Sequence, residues 1–191
     1  MKIKILIPIY NDWQSADKLI NKIDNLVKEI NHEFSVVTVN DGSSEIKPDG
    51  FGFSENLHSV QILNIKKNMG HARCIATGLK HIFQNDEFDY IIPMDGDGED
   101  RPEEIKIFID NLSYNPDTTI VGERVKRSEG IIFKLSYSIH KLITFIFTGK
   151  SIKFGNYTFL PKKTVEKLLN DKSTWSSFSG ALSKLENNLA T

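Results

Sequence analysis

This sequence of 191 residues has only one cysteine and no large excess of charge of either sign. It also has few long apolar runs. The single cysteine, Cys74, excludes a disulfide framework and a cysteine-built zinc site. The 24 basic and 25 acidic residues nearly cancel, which excludes a globally basic nucleic-acid binder. The first apolar run stops at Pro8, too short for a signal peptide core or a membrane span, so a cytoplasmic location is expected.

Several short catalytic motifs are also missing. The sequence contains no Gly-x-Ser-x-Gly elbow, no P-loop and no HExxH pair. Cys74 falls on the apolar face of a predicted helix, which indicates a buried structural thiol rather than a nucleophile. The length predicts one domain that can bury a sizeable core.

What is present is charge in separate blocks. Residues 86–117 carry 11 acidic and two basic side chains, and residues 120–172 carry 11 basic and four acidic ones. Adjacent blocks of opposite sign suggest a site that holds both a cation and an anion, although a solvated surface also produces them.

Branched apolar runs alternate with segments of helical periodicity. Strands are predicted at 3–9, 34–39, 60–65, 90–94 and 118–121. Helices are predicted from Ser15 as N-cap to Ile30, from about Gly70 to Phe83, and from Pro102 to Leu112, with a loop at 45–56. This alternation predicts an α/β/α sandwich with a mostly parallel central sheet.

Polar residues follow the predicted strands at their carboxyl ends, where α/β sheets bind ligands. They are Tyr10, Asp41, Asp95 with Asp97, and Arg124. This repeated placement predicts one site at that edge of the sheet.

Asp95-Gly96-Asp97 is the strongest of these candidates. Two carboxylates two residues apart at a strand end suit Mg²⁺ or Mn²⁺, which shares its remaining positions with water and substrate phosphates. Glu99 and Asp100 are possible further ligands, directly or through water. The alternative is an acidic turn that caps the helix beginning at Pro102.

The other candidates have equally plain alternatives. Asp41 lies in a turn sequence, Asp41-Gly42-Ser43, that turn geometry alone explains, and its functional reading is a contact to a base or ribose. The basic residues Arg124, Arg127 and Lys134 suit phosphate oxygens but also a solvated surface. An amphipathic helix is predicted at 133–147, either packed on the core or lying on a membrane surface.

Four blocks of the sequence together resemble family 2 glycosyltransferases of the GT-A fold. Their order and spacing match across about residues 3–125, and the blocks are 7–12, 39–44, 68–72 with Gly78, and 94–97 with Pro102 and Glu103. The later part, with Gly122, Arg124, Arg127, Lys134 and residues 154–160, is similar to the dolichol-phosphate mannosyltransferase-like, polyprenyl-phosphate branch.

The resemblance implies metal-dependent, inverting transfer of a sugar from a UDP- or GDP-linked donor to a polyprenyl phosphate at the cytoplasmic face of a membrane. Pro8, Tyr10 and Asp12 would line the nucleotide pocket, and Asp41 would contact the base or ribose. Asp95, Gly96 and Asp97 would form the DXD segment, with Asp95, Asp97 and Glu99 on Mg²⁺ or Mn²⁺. Asp97, Arg124, Arg127 and Lys134 would act in catalysis on the diphosphate or acceptor phosphate.

Within the resemblance, residues 1–125 form the nucleotide-sugar-binding core, and 126–191 form an acceptor-side region of the same domain. Relatives generally continue further, so a C-terminal truncation is expected. Where the family has a Gly-Asp-Phe-Arg segment, this chain has Gly155-Asn156-Tyr157-Thr158, without the carboxylate and the arginine.

Two other hypotheses for the function stay open at this point. The chain is alternatively a non-catalytic nucleotide-sugar-binding or scaffold domain, and a nucleotidyltransferase is a third, weaker reading because the Gly-rich basic N-terminal loop is missing. A nucleic-acid partner is not expected, and a homo-oligomer is left open.

Overall fold

The computed structural model describes residues 1–112, 116–123, 154–186 and 189–190. Seven strands are present in this part of the chain: β1 (Lys2–Ile9), β2 (Glu33–Asn40), β3 (Ser59–Asn64), β4 (Tyr90–Pro93), β5 (Thr119–Glu123), β6 (Phe154–Pro161) and β7 (Leu189–Ala190). The helices are α1 (Trp13–Val27), α2 (His71–Asn85), α3 (Ile105–Leu112), α4 (Lys162–Asn170) and α5 (Phe178–Leu185), with 3₁₀ turns at Pro102–Glu104 and Lys172–Trp175.

The strands form one sheet in the order β3-β2-β1-β4-β6-β5-β7. β1 pairs in parallel with both β2 and β4, so that Ile3 lies opposite Phe34 on one side and Tyr90 on the other. β6 runs antiparallel to β4 and to β5. The predicted α/β architecture with a mostly parallel sheet is therefore confirmed.

Helices cover both faces of the sheet, which explains why the central strands are apolar at nearly every position. Ile5 and Ile7 of β1 face a core shared with α1 and α3, whereas Leu6 faces a second core shared with α2, α4 and α5. α2 lies so close to β1 that a Cβ on Gly78 would fall 2.2 Å from a Leu6 methyl carbon. Any larger residue at this position would require Leu6 and Val39 to shift.

The start of α1 differs from the prediction. Asp12, not Ser15, is the N-cap, and its carboxylate oxygen Oδ1 accepts a hydrogen bond from the Ser15 amide at 3.2 Å. Placing the cap at Ser15 was wrong because both residues are cap formers and the apolar periodicity does not separate them. The helix also ends at Val27, before the predicted Ile30.

The buried carboxylate of Asp24 on α1 anchors the long loop between β2 and β3. Asp24 is 8% exposed and accepts hydrogen bonds from the amides of Glu55, Asn56 and Leu57 and from the Asn56 side chain, at 2.8–3.4 Å. Burial alone would raise the pKa of Asp24, but these hydrogen bonds together lower it. The segment predicted as loop has no helix or strand, yet it is firmly attached to α1.

The predicted amphipathic helix at 133–147 lies outside the described residues. Within the described part of the chain, no helix has the length and apolarity needed to cross a membrane.

We predict that Asp24→Ala lowers the free energy of unfolding by about 2–3 kcal/mol at pH 7, because several hydrogen bonds to a buried charge are lost. Since the pKa of Asp24 is lowered below its ordinary value of 3.8, its contribution is present above pH 3.8 and is lost as the pH falls through the lowered pKa. Urea unfolding at several pH values measures both effects.

Asp110→Ala, at an exposed acid of α3, serves as the control and should change stability by less than about 0.5 kcal/mol. An equally small change in Asp24→Ala would contradict the anchoring role.

Candidate active site

The carboxyl ends of β1 and β4 border a cleft of about 240 Å³. Its walls come from the loop after β1, from the loop after β4 and from the first residue of α2. The lining residues are Pro8, Ile9, Tyr10, Asp12, His71, Asp95, Gly96 and Asp97. Six of the residues predicted to bind a nucleotide sugar therefore meet around one cleft. Asp41, the seventh, does not line it but binds the amides of Met69 and Gly70, which precede the lining residue His71.

A larger depression of about 830 Å³ lies at the opposite, amino edge of the sheet. Its lining includes Lys2, Glu87 and Lys162, and the Lys2 ammonium is paired with Glu87 at 2.5 Å. Charges that already neutralise each other at an open surface make this a weaker candidate for a ligand site.

The loop after β4 holds its two carboxylates in a compact turn. The Asp95 amide donates to the Asp100 carboxylate at 2.8 Å, and the Asp97 carboxylate accepts from the Glu99 amide at 2.9 Å. Gly98 has a φ of 80°, a conformation that favours glycine. Glu99 is exposed and is not among the residues that line the cleft.

His71 and Asn156 come together on Asp95, and neither was predicted as a site residue. His71 Nε2 lies 3.1 Å from Asp95 Oδ1, and Asn156 Nδ2 lies 3.2 Å from the same oxygen and 2.9 Å from His71 Nε2. In the sequence, His71 is one of five histidines without metal-ligand spacing, and Asn156 stands where the family has an aspartate. The only sequence signal was that each lies in a family-like block.

The electrostatics of His71 follow from this contact. A hydrogen bond with Asp95 raises the pKa of His71 above its ordinary value, against the effect of burial, and the charges of Asp95, Asp41 and Asp97 raise it further.

Asn11 joins the loop after β1 to the loop after β2. It has a φ of 52°, and its side-chain oxygen accepts hydrogen bonds from the amides of Ser44 and Glu45 at 2.8 and 3.1 Å. Its own amide donates to the Ser43 hydroxyl at 2.9 Å. Because Asn11 stands between Tyr10 and Asp12, this clamp sets the wall of the cleft that those two residues form.

Asp41 is 4% exposed and supports the start of α2 from below. Its two carboxylate oxygens accept hydrogen bonds from the amides of Met69 and Gly70 at 2.7 and 2.9 Å. These amides directly precede His71, so Asp41 fixes where that ring stands. Its predicted contact with a base or ribose stays a prediction.

Cys74 is buried on α2, as predicted. Burial and the nearby Asp41 charge raise the pKa of its thiol to about 12. The thiol is therefore protonated at neutral pH and is unsuited to be a nucleophile.

The predicted phosphate-binding residues Arg124, Arg127 and Lys134 lie outside the described residues. Among the residues that the structure describes, no three His, Cys, Asp or Glu side chains form a complete metal site. Asp95 and Asp97 nevertheless line one open cleft with hard oxygen donors. This donor set fits a Mg²⁺ or Mn²⁺ ion that takes its remaining ligands from water and substrate phosphates.

The family model for glycosyl transferase family 2 matches residues 4–174. The chain belongs to that family. The matched range includes every residue that lines the cleft, together with Asn156.

This family 2 chain is similar in sequence to a longer transferase. It is 28% identical over 161 residues to the undecaprenyl-phosphate 4-deoxy-4-formamido-L-arabinose transferase of Klebsiella pneumoniae (strain 342), covering 82% of this chain and 46% of the relative. The chain thus spans about half the length of this curated relative.

Solved structures share the fold at low sequence identity. S. aureus TarS 1-349 superposes with a TM-score of 0.60 at 16% identity, covering 100% of this chain and 60% of that one. The complex of the same protein with UDP-GlcNAc has a TM-score of 0.53 at 15% identity, covering 87% and 47%. Mannosyl-3-phosphoglycerate synthase from Rubrobacter xylanophilus has a TM-score of 0.59 at 11% identity, covering 100% and 64%. The predicted GT-A fold is confirmed.

We predict that Asp95→Asn lowers the pKa of His71 toward its ordinary value of 6.5, because the charged hydrogen-bond acceptor is lost. An NMR titration of the histidine ring protons in metal-free protein measures this change. His32, at the opposite edge of the sheet, should keep the lowered pKa that its burial causes. A His71 pKa unchanged by the substitution would contradict the Asp95 contact.

Proposed function

We propose that this chain is the nucleotide-sugar-binding, catalytic domain of a metal-dependent glycosyltransferase that uses a polyprenyl phosphate as acceptor. The observation that carries the proposal is the cleft at the carboxyl edge of the sheet, where Tyr10, Asp12, Asp95 and Asp97 converge in a chain of family 2. The similarity to an undecaprenyl-phosphate transferase supports the acceptor class, and the fold likeness to a protein solved with UDP-GlcNAc is consistent with a nucleotide-sugar donor.

Different residues of the cleft would contact different parts of the nucleotide-sugar donor. Tyr10 is 52% exposed and offers a ring face on which a base can stack, beside the carboxylate of Asp12. Asp95 and Asp97 would hold Mg²⁺ or Mn²⁺ against the donor diphosphate, and the cation would neutralise charge that develops on the leaving group. Asp41 and Asn11 act indirectly, through the backbone that they hold.

The transfer itself is a single displacement with inversion. An anionic oxygen of the acceptor phosphate attacks the anomeric carbon of the sugar, and the bond from that carbon to the diphosphate oxygen breaks. The electron pair leaves with the nucleoside diphosphate. Because the attacking oxygen is already ionised, no strong protein base is needed, which agrees with an amide at Asn156 in place of the family's carboxylate.

A second candidate is a non-catalytic domain that binds nucleotide sugars. Two substitutions favour it: Asn156 replaces the family's carboxylate, and Thr158 replaces its arginine and is fully buried, with its hydroxyl on the Asn156 carbonyl. The intact Asp95 and Asp97 pair favours the enzyme.

We predict that Asp97→Asn reduces kcat/KM for sugar transfer by at least about 100-fold, because a charged contact to the metal and diphosphate is lost. Transfer from a labelled nucleotide sugar to polyprenyl phosphate in detergent measures it. Asp110→Asn makes the same change on exposed α3 and should keep full activity. Normal transfer by Asp97→Asn would refute the proposed metal role.

A panel of UDP- and GDP-linked sugars separates the two candidates. We predict that one donor raises the midpoint of thermal unfolding by several degrees in the presence of Mn²⁺ and by less in EDTA, since a ligand that binds only the folded state stabilises it. The same donor should be turned over with polyprenyl phosphate. Stabilisation without turnover of any donor would favour the binding domain, and no stabilisation would contradict both candidates.

A further inference from the structure

Three polar side-chain atoms from separate parts of the fold meet at one wall of the cleft. They are His71 Nε2 at the start of α2, Asp95 Oδ1 after β4 and the terminal amide of Asn156 on β6. Their mutual distances are 2.9 Å, 3.1 Å and 3.2 Å. The three atoms thus form a nearly equilateral triangle.

Hydrogen bonds cannot satisfy all three sides of this triangle together. If His71 Nε2 carries a proton, it donates to Asp95 but cannot accept from the Asn156 amide nitrogen. If Nε2 is unprotonated, it accepts from Asn156, but then two lone pairs face each other across the 3.1 Å to Asp95. One contact is left without a hydrogen in either state.

A divalent cation bound to all three atoms removes this conflict. Donors at right angles on a cation, with bonds of about 2.1 Å, lie about 3.0 Å apart, which agrees with the observed sides of the triangle. The Asn156 amide needs only to turn over so that its oxygen faces inward, since the two ends of an amide have nearly the same shape. His71 would then be neutral and would bind through Nε2.

The surroundings hold this triangle in place while leaving it open. Asp41 binds the two amides that precede His71, and Asp100 binds the Asp95 amide, so two of the three ligand-bearing segments are anchored from behind. The side chains of His71 and Asp95 are 48% and 21% exposed, which leaves room for phosphate oxygens and water on the cleft side.

We propose that His71, Asp95 and Asn156 form a binding site for a first-row transition metal, one that binds the cation before any nucleotide arrives. An imidazole ligand favours such ions over Mg²⁺, so Mn²⁺ or Zn²⁺ should bind more tightly than Mg²⁺. The inference rests on the proposed function in that this cation would be the one that contacts the donor diphosphate, and it adds His71 and Asn156 to the proposed ligands Asp95 and Asp97.

Calorimetry on the metal-stripped chain, without nucleotide, tests the site with Mn²⁺, Zn²⁺ and Mg²⁺ as probes. We expect Mn²⁺ and Zn²⁺ to bind and Mg²⁺ to bind at least tenfold more weakly. His71→Ala and Asn156→Ala should each weaken Mn²⁺ binding tenfold or more, whereas His81→Ala, on the same helix but outside the cleft, should leave it unchanged.

Asn156→Asp is the most informative variant. It keeps a metal-binding oxygen but removes the amide hydrogens, so Mn²⁺ affinity should stay the same or rise if Asn156 is a ligand. If Asn156 serves only as a hydrogen-bond donor to Asp95 and His71, Asn156→Asp should weaken Mn²⁺ binding as much as Asn156→Ala does. That result would overturn the site.

Pulsed electron paramagnetic resonance of bound Mn²⁺ gives a second measurement, which uses the unaltered chain and so does not depend on whether a variant folds. A ¹⁴N coupling typical of imidazole is expected in the unaltered chain, and its absence would overturn the His71 ligand. If Mn²⁺ binds as described but no donor is turned over, the site stands and the enzymatic function fails. If sugar is transferred while His71→Ala leaves Mn²⁺ affinity unchanged, the function stands and the site fails.

Discussion

The parallel pairing of β1 with both β2 and β4 is the constraint on which the rest of the structure depends. It places Ile9 opposite Asn40 and Leu6 opposite Pro93, so the segments that follow these parallel strands leave the sheet at the same edge. The pairing is stable because β1 is buried on both faces and leaves no apolar side chain to water. Every residue that lines the cleft, apart from His71, follows or ends β1 or β4.

Polar contacts convert this coarse alignment into a defined site. Asn11 ties the loop after β1 to the loop after β2, Asp41 holds the start of α2, and Asp100 holds the loop after β4. Each uses a carboxylate or amide oxygen to satisfy backbone amides that would otherwise lack partners at the ends of strands and helices. The cleft therefore has fixed walls, as the proposed site for a diphosphate and a cation requires.

Most of the fold could be predicted from local patterns, and the errors have physical causes. The strands with branched apolar runs were found because burial on both faces leaves a continuous signal. β6 was not identified as a strand, since Gly155 and Asn156 are poor strand formers that only pairing with β4 and β5 holds in place. The N-cap of α1 was displaced because Asp12 and Ser15 are equivalent as isolated residues and differ only in the entry angle of the chain.

The sequence by itself determined the chemistry at the carboxyl ends of the strands, because this chemistry depends on residue type and short spacing. It comprises the Asp95 and Asp97 carboxylates, the aromatic ring of Tyr10 and the glycines of the turns. The tertiary structure decided that Asp41 is a buried support and that His71 and Asn156 face Asp95. Asn156 is 61 residues from Asp95, and β6 reaches it by running antiparallel to β4. No local pattern encodes such a contact, because it arises from the pairing of strands that are distant in the chain.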